Sequence, residues 1–588
     1  MNDHPNKVLL SNPYGDASYD EFRKLGHAFV DKSSMIMELE SRDTPRHPVL
    51  LRPRRFGKST FVQMLKCFYD ISYADRYDEI FSGTDVYAAN LASHNTFHVL
   101  NFNFSGVSGD DKQTLIGDFV SAIVRGLSNF QKRYPDFALN LAELEKKTPS
   151  GIMKSFLRAY KLRYSKKSLY IMIDEYDSFA SSLLSQDLKL FNAITGAGGF
   201  LKDFYAAIKE GAETCVAKTF ITGVSSVSLD SLTSGFNIAL NITSYKRFNE
   251  YAGFTEEELA QLIPNLVDTE KLGVGVDEII YRMKPVYDGY CFSIQAERTV
   301  YNSSMCLYYL GRLRELEMFL PCEKTLDPAS DHDSSKLGQL FALAKEGLAD
   351  EIIETYLNGD RFEIDSFAEN INLNQSAKYD RRQLLSMLFY LGYLTIDPEE
   401  SDIEMLALKI PNIFMSKMFA KCVADMRLTS RSEFSDASLD ASALLDARDD
   451  ISSFAESCTE FLSSILTSHV LTNMSEMALN IALYSKLSFI RGLNVEMQKP
   501  LRIVGDGEKF ADLVITVNRK RADERIYLIE LKYLAKGQAT DERIEKLATD
   551  GAKQALKYRS AIDFRDKTVR AYVMVFVGPA CALWRMLE

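Results

Sequence analysis

A phosphate-binding pattern near residue 58 holds the side chains of this sequence that are best suited to chemistry. Gly57, Lys58 and Ser59 follow an apolar, strand-like run and open an amphipathic helical pattern. In a strand–loop–helix arrangement, the N–H groups at the helix start and the lysine ammonium face the phosphates of a nucleotide. Lys58 is therefore predicted to contact the terminal phosphates, and the Ser59 hydroxyl to bind Mg²⁺. A basic turn without a ligand is the alternative for these three residues alone.

The entrance of this loop departs from the usual pattern, which has a glycine five residues before Gly57. Arg52 stands at that position, and two further arginines follow it. The loop entrance therefore loses the freedom of glycine and gains three guanidinium groups. The nucleotide-binding residues predicted from this segment are Arg54, Arg55, Phe56, Gly57, Lys58, Ser59 and Thr60.

Two carboxylates follow a second apolar run, residues 169–173, which is typical of a buried parallel strand. Ligands of open α/β sheets bind at the carboxyl ends of the strands. Asp174 is therefore predicted to hold Mg²⁺, and Glu175 to polarise the attacking water. A solvated strand end is the alternative. Thr222 ends another strand-like run and is predicted to contact the terminal phosphate, although an ordinary turn explains it equally well.

Three charged residues lie on two apolar, strand-like segments near the carboxyl terminus. Asp512 belongs to the first segment, whereas Glu530 and Lys532 lie on one face of the second. If the segments pair as a hairpin, Asp512 lies close to Glu530. Two carboxylates suit Mg²⁺ or Mn²⁺, which polarises a phosphodiester and activates water, while Lys532 orients that water or stabilises the developing charge. A surface ion pair is the alternative.

The hydrophobic periodicity places these residues in an α/β chain of several domains. Strands predicted at 47–52, 97–104, 168–174 and 217–222 alternate with helical patterns, as in the parallel sheet of a P-loop ATPase core. We expect that core over residues 1–250, a helical lid over 251–322, a helical and winged-helix-like module over 336–426, a linker over 427–454 and a final domain over 455–588. A further turn-rich linker is expected at residues 323–335.

Charge and cysteine usage limit the classes of partner and compartment. The net charge is −12, but residues 501–588 hold 17 Lys and Arg against 13 Asp and Glu, a net charge of +4. This excludes a uniformly basic nucleic-acid binder and allows local contact with phosphates. The eight cysteines are scattered and show no zinc-binding spacing, and the amino terminus is polar, so we expect a cytoplasmic protein. No apolar run approaches the roughly 20 residues that span a bilayer.

A series of short motifs recurs in a specific order along the chain. The motifs are Phe29–Ser33, RPRRFGKS (Arg52–Ser59), IDEYD (Ile173–Asp177), ITGVS (Ile221–Ser225), GFTEEEL (Gly253–Leu259), YDGYCF (Tyr287–Phe292) and YNSS (Tyr301–Ser304). In this the chain resembles the bacterial AAA-ATPase-like family, whose members join a predicted ATPase to a C-terminal PD-(D/E)XK nuclease-superfamily domain. The chain departs from the family motifs at Val286, at Cys291 and after Asn412. These departures put supporting contacts of those motifs in question, but not the nucleotide loop.

The resemblance implies a restriction-endonuclease-like C-terminal fold and a nucleic acid substrate, either DNA or RNA. It also implies that Gln554 matches the trailing glutamine of that domain, and that Glu476 matches its helical acidic residue.

Together these patterns predict an ATP- and Mg²⁺-binding ATPase whose nucleotide state controls a metal-dependent nuclease. The predicted catalytic residues are Glu175, Asp512, Glu530, Lys532 and Gln554, and the predicted metal ligands are Ser59, Asp174, Asp512 and Glu530. One alternative is a nucleotide-switched binding or scaffold protein with a degenerate nuclease fold. Another is an ATP-driven remodeller that assembles as a ring and takes an arginine from its neighbour.

Overall fold

The computed structural model describes the chain in segments that form two compact units. The described residues are 8–164, 168–179, 188–195, 199–226, 232, 235–320, 322, 332–358, 360–368, 378–427, 450–465, 476–487, 493–503, 507–517, 524–565 and 567–587. The first unit comprises Met1–Asp331, Gln339–Leu348 and Phe362–Asn412, and the second comprises His332–Gly338, Ala349–Arg361 and Ile413–Glu588. The domain boundaries given above stay predictions. Most of the two expected linkers, residues 323–331 and 428–449, lies outside the described residues.

A parallel five-stranded sheet forms the centre of the first unit. Its strands are β1 (Pro48–Leu51), β2 (His98–Asn103), β3 (Leu169–Asp174), β4 (Val216–Gly223) and β5 (Leu240–Asn241), in the order β2-β3-β4-β1-β5. Each neighbouring pair is parallel. All residues of β1 and β3 are buried, as expected of strands covered on both faces. The four predicted strands are confirmed, whereas β5 has too few residues to produce a sequence pattern.

Two helices precede these strands, and others connect them. They are α1 (Tyr19–Leu25), α2 (Ser34–Glu40), α3 (Lys58–Tyr69), α4 (Tyr77–Phe81), α5 (Asp85–Ala89), α6 (Lys112–Arg133), α7 (Leu141–Leu144), α8 (Pro149–Arg163), α9 (Leu188–Thr195) and α10 (Phe200–Ala212). Of these, α3, α6 and α10 pack on the sheet. The helix predicted after the phosphate loop is α3, which begins at Lys58 and buries Phe61 and Leu65. The longest of these helices, α6, is capped by Asp111, whose side chain accepts from two N–H groups of the first turn.

The segment after the sheet is helical, as predicted for residues 251–322. It contains α11 (Glu256–Leu266), α12 (Thr269–Leu272), α13 (Val276–Tyr287) and α14 (Ser303–Leu316). A capping box begins α11, because Thr255 and Glu258 exchange side-chain and backbone hydrogen bonds. Glu258 also accepts two hydrogen bonds from Lys32 Nζ, at 2.7 and 2.6 Å. The role of these helices as a lid stays a prediction.

A small antiparallel sheet follows within the first unit. Its strands β6 (Phe362–Ile364), β7 (Thr395–Ile396) and β8 (Leu406–Lys409) lie in the order β6-β8-β7. The strands β7 and β8 pair as an antiparallel hairpin. The neighbouring helices are α15 (His332–Ala342), α16 (Leu348–Asn358), α17 (Arg381–Tyr390) and α18 (Ile413–Arg427). Since α17 belongs to the first compact unit and α18 to the second, the predicted winged-helix-like module does not coincide with one unit.

The second unit is built around a mixed five-stranded sheet. Its elements are α19 (Ser452–Ile465), α20 (Glu476–Leu487), β9 (Leu493–Ile503), β10 (Gly507–Val517), β11 (Arg525–Leu534), α21 (Asp541–Arg559), β12 (Val569–Val577) and β13 (Ala580–Leu587). The strand order is β13-β12-β11-β10-β9, with β11 and β12 parallel and the other pairs antiparallel. The crossover between the parallel strands is α21, whose Ala548 and Ala555 are buried in the core against the sheet.

Candidate active sites

The phosphate loop turns sharply just before α3. The backbone φ angles of Arg55 and Gly57 are +70° and +88°, and the helix begins at Lys58. This left-handed conformation is easy for glycine and strained for arginine. The first N–H groups of a helix have no partner within it, so the turn presents the start of α3 as an anion site.

Lys58 is buried, and its ammonium contacts two groups at the carboxyl edge of the sheet. Nζ donates to the carbonyl oxygen of Pro53 at 3.1 Å and lies 3.5 Å from Glu175 Oε1. A buried ammonium needs such partners, because its charge is costly to remove from water. A phosphate bound at this position would compete for the same ammonium and would release Glu175 from this ion pair.

Ser59 and Asp174 meet across the gap between α3 and β3. The Ser59 hydroxyl donates to Asp174 Oδ2 at 2.7 Å, and Asn103 Nδ2 donates to the same oxygen at 3.3 Å. The other oxygen, Oδ1, is buried and has no hydrogen-bond partner among the described residues. Burial raises the pKa of the Asp174 carboxyl to about 6, against the lowering by the Ser59 hydroxyl. A hydroxyl beside an unpartnered carboxylate oxygen fits the oxygen ligand set that Mg²⁺ prefers.

The turn after β3 holds Glu175 in an unusual backbone conformation. Its φ is +55°, and the next residue, Tyr176, donates its N–H to the carbonyl oxygen of Thr222. Asp177 ties this turn to β4 by accepting from the N–H of Val224 at 3.0 Å and from the N–H of Ser225 at 2.8 Å. Asp177 is thus a structural carboxylate, whereas the strained Glu175 lies beside Lys58.

The other predicted nucleotide-binding residues surround this centre at different depths. Thr222 is buried and donates its hydroxyl to the carbonyl oxygen of Leu50 at 2.7 Å, so its contact with a phosphate stays a prediction. Arg54 is exposed, whereas Arg55 and Thr60 are half-buried. Those three roles also stay predictions.

Arg52, which stands where the usual loop pattern has a glycine, is a structural residue. Its side chain is buried, 1% exposed, and donates to the carbonyl oxygens of Leu51, Thr243 and Phe248. The guanidinium also lies over the Phe292 ring, 4.0 Å from its centroid. Burial lowers its pKa to about 10, so Arg52 remains charged at neutral pH. Its hydrogen bonds join the end of β1 to residues 243–248.

Residues of the GFTEEEL and YNSS motifs brace the phosphate loop through hydrogen bonds to its carbonyl oxygens. The N–H of Gly253 donates to the carbonyl oxygen of Phe56 at 2.8 Å. Ser303 Oγ and the N–H of Ser304 both donate to the carbonyl oxygen of Arg55, each at 3.1 Å. Phe56 itself is buried, with its ring against Tyr290 and Phe292. Sequence spacing alone gave no sign of this bracing, because the contacts join segments about 200 residues or more apart.

A largely apolar cavity adjoins the loop and the first turns of α3. Its volume is about 130 Å³, and it is partly open to solvent. Its walls come from α1, the segment before α2, α3, the residues before α11 and the start of α14. They include Tyr19, Phe29, Gly57, Thr60, Tyr251 and Phe254. A cavity with apolar walls beside a phosphate site suits the base and ribose of a nucleotide.

In the second unit, the predicted carboxy-terminal residues lie together. Lys532 Nζ is 3.1 Å from Glu530 Oε1 and 3.3 Å from Glu476 Oε2, which projects from α20. Asp512 lies on the neighbouring strand β10, and its Oδ2 accepts from the N–H of Leu531 at 2.9 Å. The predicted β10–β11 pairing is confirmed as antiparallel, while its turn, residues 518–523, lies outside the described residues.

Glu530 is the most perturbed group of this cluster. The residue is buried, and burial together with the nearby Asp512 carboxylate raises its pKa to about 8, against the lowering by Lys532. Its second oxygen, Oε2, is buried without a hydrogen-bond partner in the described part of the chain. Gln554 is exposed on α21, one turn beyond Gly551, which packs against Lys532. The catalytic role predicted for Gln554 stays a prediction.

Neither a cluster of metal-ligating side chains nor a membrane-spanning helix occurs in the described segments. No group of three or more His, Cys, Asp and Glu side chains there is arranged to hold a metal ion. The candidate cation sites therefore rest on smaller oxygen sets, Ser59 with Asp174 and Asp512 with Glu530. Among the same residues, no helix has both the length and the apolar character needed to cross a bilayer.

The first unit is also similar to known sequences. Residues 13–233 match the AAA-ATPase-like family, described as "Predicted AAA-ATPase". The match includes the phosphate loop, β1 to β4 and the Asp174–Glu175 turn, and it supports ATP binding there. It ends before the second unit, so it does not bear on Asp512, Glu530 or Lys532.

A curated protein is also similar to part of this chain. The "Uncharacterized protein in vnfD 5′region" of Azotobacter chroococcum mcd 1 is 26% identical over 281 residues, which is 47% of this chain. The chain spans about half the length of that relative, 46%.

The structural role of Arg52 leads to a stability prediction. Arg52→Met should destabilise the first unit by about 3 kcal/mol or more, because several buried carbonyl oxygens lose a charged donor. The matched control is Arg54→Met two residues away, whose side chain is exposed and which should change stability by less than about 0.5 kcal/mol. Thermal unfolding monitored by circular dichroism measures both variants. Equal stability of the two would contradict the placement of Arg52.

Proposed function

We propose that this protein is a cytoplasmic ATPase that binds ATP with Mg²⁺ and carries a metal-dependent nuclease domain. The ATP half rests chiefly on one observation. The Ser59 hydroxyl and the Asp174 carboxylate lie 2.7 Å apart beside Lys58, and one Asp174 oxygen is buried without a partner. Such an oxygen is costly in a protein interior unless a ligand or water meets it. An Mg²⁺–phosphate group supplies that ligand.

The residues around this site have distinct roles in the proposed reaction. Lys58 binds the terminal phosphates, and the start of α3 supplies further N–H donors. When bound, Mg²⁺ supplies positive charge against the phosphate oxygens. Glu175, released from Lys58, accepts the proton of the attacking water. The nucleoside occupies the apolar cavity between α1, α3 and α14, where the Tyr19 and Phe254 side chains exclude water from the base.

Replacing Glu175 separates binding from hydrolysis. Glu175→Gln should bind ATP within about threefold of the unaltered protein, since the side chain keeps its size, and should lower phosphate release about 100-fold or more. Binding is measured by isothermal titration with Mg²⁺-ATP, and turnover by release of inorganic phosphate. The control Glu145→Gln lies on the exposed surface of the same unit and should change neither quantity. Unchanged turnover in Glu175→Gln would remove this residue from the mechanism.

The nuclease half of the proposal is supported by the cluster on β10, β11 and α20. A buried carboxylate with one unpartnered oxygen, Glu530, lies beside the half-buried Asp512 and next to a lysine, an arrangement suited to a divalent cation and a phosphodiester. The net charge of +4 over residues 501–588 favours contact with nucleic acid phosphates, either DNA or RNA. In this role Asp512 and Glu530 hold the cation, and Lys532 stabilises the charge that develops on the phosphate.

A function of a different class would use the same nucleotide site. In that alternative, the protein binds ATP as a switch and uses a degenerate nuclease fold to bind a partner. It is favoured by the ion pairs of Lys532, whose ammonium contacts both Glu530 and Glu476. The two functions differ in whether changes at Glu530 and Lys532 alter phosphodiester cleavage.

A further inference from the structure

An asparagine on α20 belongs to the carboxylate cluster of the second unit. Asn480 lies four residues after Glu476, so both side chains project from the same face of the helix. Glu476 reaches Lys532, and Asn480 reaches the neighbouring strand, where its Nδ2 lies 3.4 Å from Asp512 Oδ1. One helix face thus contacts both strands that carry the predicted cation ligands.

The chemistry of this contact fixes the orientation of the Asn480 amide. An ionised carboxylate only accepts hydrogen bonds, so the amide must present its NH₂ group to Asp512. The carbonyl oxygen, Oδ1, is the other polar atom of the amide, and it is buried without a hydrogen-bond partner among the described residues. The residue as a whole is fully buried.

An unpartnered amide oxygen is unexpected at this position. The neighbouring buried positions of α20 are apolar, with Leu479, Leu483 and Leu487 all fully buried. A leucine at 480 would avoid the cost of burying a carbonyl oxygen without a donor. Glu530 Oε2 is a second buried oxygen without a partner in the described segments, and both residues contact or face Asp512. Two such oxygens around one carboxylate indicate a ligand that accepts electron pairs.

We propose that Asn480 is a positioning residue of a divalent-cation site in the second unit. Its NH₂ group holds Asp512 in place, and its carbonyl oxygen is a third oxygen for the cation and its bound water, after Asp512 and Glu530. This inference rests on the proposed nuclease function and extends it to a residue that no acidic motif contains. A ligand set of two carboxylates and one amide oxygen suits Mg²⁺ or Mn²⁺.

The test is Mn²⁺ binding to the full chain, measured by electron paramagnetic resonance without nucleotide. All proteins carry Asp174→Asn, which removes the carboxylate of the nucleotide site. Asn480→Leu should weaken Mn²⁺ binding about tenfold or more. Asn480→Asp, which keeps an oxygen at the same place, should bind Mn²⁺ at least ten times more tightly than Asn480→Leu. The matched control is Asn494→Leu, a buried asparagine on β9 that contacts Glu496 and should leave the affinity unchanged.

The outcomes distinguish this inference from the function on which it rests. If Glu530→Gln abolishes Mn²⁺ binding and Asn480→Leu does not weaken it, the cation site stands and the role of Asn480 is wrong. If Glu530→Gln leaves Mn²⁺ binding unchanged, the proposed site itself is wrong. Equal affinities of Asn480→Asp and Asn480→Leu would also overturn the inference. Circular dichroism without cation checks that each variant is folded.

Discussion

Lys58→Ala is expected to weaken the binding of Mg²⁺-ATP about 100-fold or more, because a buried, charge-assisted contact with the terminal phosphates is lost. The change also leaves Glu175 without the ammonium that lies 3.5 Å away. Isothermal titration with Mg²⁺-ATP measures the affinity. A non-hydrolysable analogue in a second titration separates binding from turnover.

The control for this variant is Lys146→Ala, which removes an exposed ammonium from the same unit. Its affinity for Mg²⁺-ATP should match that of the unaltered protein. Thermal unfolding of Lys58→Ala shows whether the loop survives the change. A folded Lys58→Ala protein that binds Mg²⁺-ATP normally would place the nucleotide elsewhere.

The double variant Glu530→Ala, Lys532→Ala is expected to lower nucleic acid cleavage about 1,000-fold, because both a cation ligand and the charge-stabilising ammonium are removed. Each single variant should lose nearly as much as the pair, since the two groups act on one phosphate and their effects do not add. Cleavage is measured on DNA and on RNA with Mg²⁺ or Mn²⁺, in the presence of ATP.

A matched control for the double variant lies on the surface of α21. Glu542→Ala, Lys546→Ala removes the same two residue types from exposed positions of the same unit and should leave cleavage unchanged. If the unaltered protein cleaves neither substrate faster than the double variant, the nuclease half of the proposal is wrong. Persistent binding of a partner by that variant would then favour the scaffold alternative.

Apolar runs in the sequence predicted the buried strands, because a strand is formed by residues that are consecutive in the chain. The apolar runs before Lys58 and Asp174 gave β1 and β3, because strands buried on both faces are apolar throughout. Strand order did not follow from the sequence: β4 lies between β1 and β3, so Thr222 is beside Leu50. Nothing in the spacing of the chain records which strands become neighbours in a parallel sheet.

The candidate sites show the same division between local and long-range information. Glu530 and Lys532 were predictable as neighbours because strand alternation puts them on one face. The burial of Arg52 was not, because its acceptors, Thr243 and Phe248, come from a segment almost 200 residues away. Asn480 was missed because a single asparagine four residues after a glutamate carries no distinctive pattern.

The metal dependence of ATP binding tests the central claim most directly, since that claim joins Ser59 and Asp174 to one Mg²⁺–phosphate group. The affinity for a fluorescent, non-hydrolysable ATP analogue is measured with Mg²⁺ and with EDTA, for the unaltered protein and for Asp174→Asn. We predict that Mg²⁺ tightens binding about tenfold or more in the unaltered protein and has little effect in Asp174→Asn. An equal effect of Mg²⁺ on both proteins, or no binding of the analogue to either, would contradict the account.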